Sequence, residues 1–517
     1  MPKINLDALI PREDFEIIGN NSTSAQIQSL SVNDLSNQFI YQILRKPDFQ
    51  RETNEWDPKK IEEFIDSFIE GDLIPSIILW RSASGLIFVI DGAHRLSTLI
   101  SWIYDDYGDK EISKKFYENN ITEDQISFAE KTRKLVNKNI GSFEQIKNAS
   151  KNNNSRPEHI RRANNVGVNA IQVQWVVGDA KKAENSFFKI NQKASKIDPT
   201  ELKLLESRKK PNCISARAII RAGKGHKYWS SFSAENQNTI QQLADEINKI
   251  FFTPQLKTPV KTMDIPIGGK ISSAQTLPLI LEFINQVNYT PSNFKDNLDD
   301  DTDGAQTINY LRNARKIAWR INSVHSSSLG LHPIIYFYSK EGKYKTGSFY
   351  AITNFILRIL KENKLNNFIT ARKEFEKFLI EYDYISTQIN RKQRSSLKGL
   401  PYVTEFYLEV INQVNEGKSY KEAVKSLISL NKFNYIKLDD ERDDDSHFYR
   451  RNFDNDSKSA VFISEALQTG VKCKICKGFI HRNSMTIDHI ERKQDGGFGN
   501  PENGQLAHPY CNSTFKN

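Results

Sequence analysis

Two ligand pairs bracket the end of the sequence. Cys473 and Cys476 form a C-x-x-C, and His508 and Cys511 form an H-x-x-C. The i, i+3 spacing lets each pair grip one ion. Three thiolates and one imidazole complete a tetrahedral zinc shell with no open position, which is a structural site. The 45 residues from Cys473 to Asn517 hold too little apolar area to fold unaided, so metal binding is expected to supply folding energy. Of the four cysteines, only Cys213 lies outside this segment. That distribution predicts a metal site in a reducing cytosol, not a disulfide framework.

Between the pairs runs Thr486-Ile487-Asp488-His489-Ile490. Ile487 and Ile490 flank a polar pair, the pattern of a short half-buried strand. An Asp495-Gly496-Gly497 turn follows, then Asn503, then Asn512 directly after the last cysteine. A neutral imidazole can act as a base at pH 7, and Asp and Asn oxygens suit a hard divalent ion. His481 and Lys493 are candidates for phosphate contact, with an exposed surface role equally open.

This ordered set resembles the HNH endonucleases with their ββα-metal fold. The resemblance covers residues 471–517. It implies that His489 is the general base, that Asp488 and Asn512 hold one divalent metal such as magnesium, and that Asn503 braces the loop orienting His489. His508 stands where a second C-x-x-C would place cysteine, which keeps zinc ligation and removes one negative charge. Asn512 occupies the position of the family's third letter in place of histidine.

A second motif lies near the other end. Asp91-Gly92-Ala93-His94-Arg95 follows the apolar run FVI and precedes LSTLISWI, which reads as a strand-to-helix turn. Gly92 permits a tight bend, and the following helix start presents N–H groups to an anion. Arg95 and Arg51 could add forked charge to a phosphate. With Gln50-Arg51, Trp56, Ile74-Pro75 and Ile190-Asn191, the motif resembles the ParB/sulfiredoxin-like family marked by D-G-Q-Q-R or D-G-Q-H-R. That family includes the nucleotide-hydrolysing, modification-sensing half of GmrSD-type restriction systems. The resemblance implies an NTP site at Gln50, Arg51, Asp91, Gly92, His94 and Arg95. Ala93 stands in place of the family glutamine, which removes one polar side chain. Phe187 and Phe188 are expected in the core.

The 517 residues suffice for about three domains. The expected division is 25–210 for the sensor or NTPase domain, 211–445 for a helical middle, and 446–517 for the nuclease. The fold class expected is α+β and multidomain. Strand-like runs are Ser76–Trp80, Ile87–Ile90 and Ala170–Val177. In Asp57–Glu70 the residues Ile61, Phe64, Ile65 and Phe68 share one helix face, with Asp57 as N-cap and Pro58 at the first helical position. A further helix is expected after Gly92, carrying Leu96, Leu99 and Ile103. Ser150–Pro157 reads as a loop. Helical periodicity recurs in Ile240–Phe251, Ala274–Val287, Thr307–Ile321, Phe349–Leu365 and Phe368–Tyr382. The acidic stretches Asp299–Asp303 and Asp439–Asp445 read as solvated loops, the second as a linker. No internal repeat or heptad run is present.

A net charge of +9 is compatible with a polyanionic partner and is weak evidence alone. There is no run of 18 apolar residues, so no membrane span is expected, and the opening stretch lacks the make-up of a signal peptide. The location expected is the cytoplasm. The function expected is a metal-dependent DNA endonuclease of a phage-defence system, with one ββα-metal site cutting one strand at a time. Its gate would be the nucleotide- or modification-sensing N-terminal region. The middle would supply basic contacts through Arg391–Lys398, although an ordinary solvated helix face explains that run equally well. The partners expected are DNA, with further copies of the chain or a second defence-system subunit. Three rivals stand: a nucleotide-switched DNA-binding regulator with an inactive nuclease fold, an RNA-cleaving abortive-infection toxin, and a ParB-like partition NTPase.

Overall fold

The chain divides into two compact units, Met1–Lys209 with Lys224–Ser231, and Lys210–Gly223 with Phe232–Asn517. A computed structural model describes residues 3–13, 15, 27–36, 38–47, 50, 53–117, 119, 121, 123–151, 155–194, 203–204, 206–224, 228–253, 265–268, 276–291, 293–340, 342–438 and 455–516. Arg51, the acidic stretch 439–445 and the side chain of Asn191 fall outside that description.

The first unit is built on one six-stranded mixed sheet. Its strands are β1 (Arg12–Glu13), β2 (Ser29–Ser31), β3 (Leu44–Pro47), β4 (Ile77–Arg81), β5 (Ile87–Asp91) and β6 (Ala170–Trp175), in the spatial order β1-β3-β5-β4-β6-β2. β3 runs parallel to β5, and β4 pairs antiparallel with β5 and parallel with β6. The three strand-like runs in the sequence all land in this sheet as β4, β5 and β6. Side chains alternate along it. Leu79 and Val89 join a large core with Leu96, Leu99, Ile61 and Ile65. Trp80, Phe88 and Ile90 face the other way and pack on Phe187. Phe187 and Phe188 are therefore core aromatics, as their type suggests.

Helix α1 (Pro58–Glu70) has its expected start: the Asp57 carboxylate accepts the Lys60 N–H at 2.9 Å, and Gly71 closes the helix with φ +80°. Helix α2 (Ala93–Ile103) follows β5 after the single residue Gly92. Gly92 has φ +99°, and a Cβ there would lie 2.5 Å from Ile77 Cγ2. Both the backbone angle and the close approach demand glycine.

The second unit is helical before its final zinc-type module. Its principal helices are α3 (Pro211–Ile220), α4 (Ala234–Phe252), α5 (Thr276–Val287), α6 (Ala305–Ile321), α7 (Thr346–Lys361), α8 (Leu365–Glu381), α9 (Ile385–Lys392), α10 (Ser396–Asn415), α11 (Tyr420–Ile428) and α12 (Asn455–Thr469). Aromatic edges interlock at its core, with Phe355, Phe368, Phe375, Phe378 and Tyr407 packed ring against ring. Two expectations are corrected here. The run Phe349–Leu365 is not one helix: α7 stops at Lys361, Asn363 turns with φ +55°, and α8 begins at Leu365. Nor is Asp299–Asp303 wholly a solvated loop. Asp301 is buried and accepts the N–H groups of Gly304 and Thr307 and the Thr307 hydroxyl, at 2.9, 2.7 and 2.6 Å. Those bonds satisfy the donors at the start of α6. Among the described residues no helix is long and apolar enough to cross a membrane.

Candidate metal centre and active site

The four soft ligands converge. One donor atom from each of Cys473, Cys476, His508 and Cys511 lies within 4.8 Å of all the others, and all four residues are buried. His508 Nδ1 is 3.4 Å from Cys476 Sγ and 3.9 Å from Cys511 Sγ. Its Nε2 lies 2.9 Å from the Phe479 carbonyl, a partner that fixes the tautomer leaving Nδ1 to face the thiols. Burial, followed by the nearby Arg372 charge, lowers the His508 pKa, which keeps the ring neutral as a ligand requires. Hydrogen bonding with Cys476 and then Cys511 holds the Cys473 thiol far below its ordinary range. The donor set, its dry surroundings and the backbone acceptor behind His508 all fit a structural zinc.

This knuckle is set into the helical part of its own unit. Arg372, fully buried on α8, bonds Glu376 Oε1 at 2.7 Å and the Gly330 carbonyl at 3.0 Å, and its NH1 lies 3.2 Å from His508 Nδ1. Burial opposes the Arg372 charge, but Glu376, Tyr336 and the cysteine sulfurs outweigh it and raise its pKa well above the ordinary value. Glu376 Oε2 in turn accepts the Phe479 N–H at 2.7 Å, and Oε1 accepts the Tyr336 hydroxyl at 3.0 Å. Space is tight: a Cβ at Gly478 would lie 2.5 Å from Arg372 Nε. Further contacts tie the module to the loop after α6. Ser328 bonds Ser484 through their hydroxyls at 2.8 Å, and its carbonyl accepts the Tyr510 N–H at 3.0 Å.

His481 is neither exposed nor a phosphate contact. It is buried, with Nδ1 2.8 Å from the Asn322 amide nitrogen. A polar group inside must find a partner, and His481 finds it just past the C-terminus of α6. Lys493 is exposed on a short 3-10 turn. Arg372 and Glu376 were missed from the sequence. Their signal was an opposite-charge i, i+4 pair on the same helix face as Phe368, Phe375 and Leu379, where charges need a specific reason to be buried. Replacing Arg372 with methionine leaves Glu376 buried without its cation. The expected cost is about 3–5 kcal/mol, read as an earlier urea midpoint.

Strand β7 (Thr486–His489) pairs antiparallel with β8 (Gly504–Ala507) in the register Asp488↔Gln505 and His489↔Gly504. The strand is inverted relative to its apolar pattern: Ile487 and Ile490 are 59% and 56% exposed, while Asp488 is 5% exposed. Side chains alternate along the strand, so Asp488 turns inward while Ile487 faces out. Asp488 Oδ2 accepts from Gln505 Nε2 at 2.7 Å and from Lys516 Nζ at 2.8 Å. The same ammonium also reaches the carbonyls of His489 and Ile490. A cation is thus already held in an oxygen cage around Asp488. Asn512 stands on the turn of Cys511–Phe515 and donates its amide to the Ile487 carbonyl at 3.2 Å and to Thr486 Oγ1 at 3.3 Å.

His489 Nε2 is buried and has no hydrogen-bond partner among the described residues. A Cβ at Gly499 would lie 3.9 Å from that nitrogen. Asn503 clamps the loop that follows. Its Oδ1 accepts the Glu491 N–H at 2.7 Å, and its Nδ2 donates to the carbonyls of Glu491 and Phe498 at 3.0 and 2.9 Å. A Cβ at Gly497 would lie 2.0 Å from the Glu491 carbonyl oxygen, so the Gly496-Gly497 turn is needed for this clamp to close.

The turn of the first unit is a separate constellation. Arg95 donates to Asp91 Oδ2 at 2.7 Å and to the Ser76 carbonyl at 3.2 Å. Its guanidinium therefore braces the turn. His94 stacks on Trp56 with ring centroids 5.7 Å apart, and its Nε2 accepts the Glu55 N–H at 3.4 Å. These contacts bring Glu55 and Trp56 to the start of α2. Gln50 is buried, and its Oε1 has no partner among the described residues. Nearby in the chain's fold lies a buried ion cluster that the sequence did not flag, in which Asp7 Oδ1 takes both Arg12 and Lys46 at 2.7 Å.

Residues 32–206 match the family of the GmrSD restriction endonuclease N-terminal domain, and residues 473–517 match the HNH endonuclease family. The chain joins a GmrSD-type N-terminal domain to a C-terminal HNH endonuclease domain. No curated protein and no solved structure matches it. That domain content suggests a nuclease of a restriction system. The β7–β8 hairpin and the knuckle around it are the HNH domain, and the Asp91–Arg95 turn lies within the GmrSD-type domain.

Proposed function

We propose that this chain is a metal-dependent DNA endonuclease, with its centre at Asp488, His489 and Asn512 and its gate in the GmrSD-type domain. The observation that carries the reading is the sheltered, unpartnered Nε2 of His489, the residue that follows the buried Asp488 on β7. A buried polar atom without a partner is costly, and it is retained where a reactant supplies the missing bond. In this reading His489 takes a proton from the attacking water. Asp488 and Asn512 hold a divalent ion such as magnesium, which when bound supplies charge neutralisation at the phosphate and leaving oxygen. Asn503 keeps the loop after His489 in place. Cys473, Cys476, His508 and Cys511 hold zinc and do no chemistry.

The Lys516 ammonium is the cation that Asp488 carries here, so it and a divalent ion compete for one carboxylate. Replacing Lys516 with methionine should tighten manganese binding about fivefold, the scale expected for one nearby charge in a partly exposed site. Calorimetric titration of the zinc-loaded protein with manganese checks it.

For the gate, the buried Gln50 and the His94–Trp56 contact support a ligand site at the turn of Asp91, Gly92 and Arg95. We read that ligand as an NTP, with Arg51 a further candidate. The deciding experiment incubates modified and unmodified phage DNA with the protein, with and without each NTP. Cleavage that depends on DNA modification or on one NTP supports gating. Equal cleavage in every arm removes the gate and leaves the nuclease.

A further inference from the structure

The helical part of the second unit holds two adjoining cavities of about 560 and 510 Å³ that share Lys345, Thr387 and Arg391. Among the described residues they are lined by six cations, Lys340, Lys343, Lys345, Arg391, Arg394 and Lys437, against one carboxylate, Asp383. We propose that this groove binds the phosphodiester backbone of duplex DNA, as an anchoring surface additional to the Asp488–His489 centre.

Three features argue for a polyanion. First, the side chains of Lys340, Arg391, Arg394 and Lys437 make no ion pair among the described residues, although exposed cations elsewhere in the unit do, as in Lys421–Glu381, Lys432–Glu405 and Arg358–Glu362. A cluster of like charges left unneutralised costs self-repulsion, which an anionic ligand relieves. Second, two long helices begin at the groove. Gly347 and Ser348 in the first turn of α7, and Ser395 and Ser396 at the start of α10, line one cavity. Both starts direct their positive dipole ends and N–H groups there. They are pinned together: a Cβ at Gly347 would lie 2.7 Å from Asn390 Nδ2 and 2.9 Å from Ser396 Oγ. Third, the side chains between the cations are mostly hydroxyls and amides; the exposed Ser395 uses its hydroxyl oxygen to accept the Lys398 N–H, and with Thr387 and Ser396 it offers O–H donors of the kind that suits phosphate oxygens.

The same lining narrows the ligand. Among the described residues its only aromatic is Tyr384, which is buried at 9% exposure. With no exposed ring to stack a base, the groove lacks the platform that single strands use and the slot that a mononucleotide base needs. Charge spread over two joined basins suits a run of phosphates on a duplex. The choice of DNA over another duplex rests on the function proposed above.

The test uses the full chain carrying His489→Ala, so that binding is read without cutting. The affinity for a labelled 30-bp duplex is measured across a salt series. Four substitutions, Lys340→Gln, Arg391→Gln, Arg394→Gln and Lys437→Gln, are compared with four neutralisations elsewhere, at Arg358, Lys377, Lys421 and Lys432. The groove variant should bind at least tenfold more weakly. Its slope of log affinity against log salt should be shallower by about 0.9 for each phosphate that the protein no longer neutralises, while the control variant keeps the parent slope. Should the fourfold variant not fold, Arg391→Glu with Arg394→Glu gives the same reading. Equal losses in both variants, an unchanged slope, or displacement of the duplex by millimolar inorganic phosphate or ATP would overturn the proposal. Because the readout is binding, an inactive nuclease centre would leave this result intact, and a bare groove would leave the cutting assay intact.

Discussion

Replacing His489 with alanine should lower strand cleavage by about 10²- to 10⁴-fold, the range for loss of a positioned general base. Nicking of supercoiled plasmid in magnesium is the measurement. The imidazole sits on β7 with Nε2 buried and unpartnered among the described residues, so its removal deletes a proton acceptor and no Nε2 hydrogen bond of the fold. The zinc content and the thermal midpoint should therefore match the parent. If the variant nicks as fast as the parent at equal zinc content, another base does the work and the assignment fails. A parent that cuts RNA but not DNA in the same assay would favour the toxin reading.

Stripping the zinc should have a larger structural effect than any single substitution. Structural zinc contributes apparent binding free energies of about 10–16 kcal/mol in small modules at neutral pH. Here the loss spreads inward, because His508 lies against Arg372, and Arg372 and Glu376 reach the backbone of both the knuckle and the loop after α6. A strong chelator should abolish nicking and also lower the unfolding midpoint of the helical part of the unit. Cys476→Ser should do the same without chelator. Retention of the parent midpoint after full zinc removal, shown by metal analysis, would mean that the helices do not feel the knuckle.

Much of this was legible in the residues. The ligand pairs were readable because zinc geometry writes itself as short fixed spacings. The helix at Pro58–Glu70 was readable down to its cap, because Asp57 and Pro58 act locally. β4 and β5 showed as apolar runs because side chains from both faces of the sheet enter a core, and β6 showed as an alternation with Gln172 and Gln174 exposed. What stayed hidden was non-local. Nothing in Thr486–Ile490 says that the aspartate points in and the isoleucines point out, since that depends on Gln505 and Lys516 arriving from elsewhere. Asp301 looked like one more charge in an acidic run, and only the fold shows which of those carboxylates caps α6. His481 was ambiguous for the same reason: its partner Asn322 is 159 residues away. Arg391 and Arg394 of the groove lie in the basic run Arg391–Lys398 that the sequence singled out, but Lys340, Lys343, Lys345 and Lys437 join them from segments that no one window contains.

The buried Arg372–Glu376 pair also bears on how this nuclease can be moved. The matched range makes the natural place to cut this HNH domain free just before Cys473. A graft made there would carry the ligands and the catalytic strand but leave behind the arginine against His508, the carboxylate under Phe479 and the serine that receives Tyr510. The smallest transplantable piece therefore includes α8 and the loop following α6. Chimeras should sort into soluble and insoluble classes according to whether they bring that seat with them.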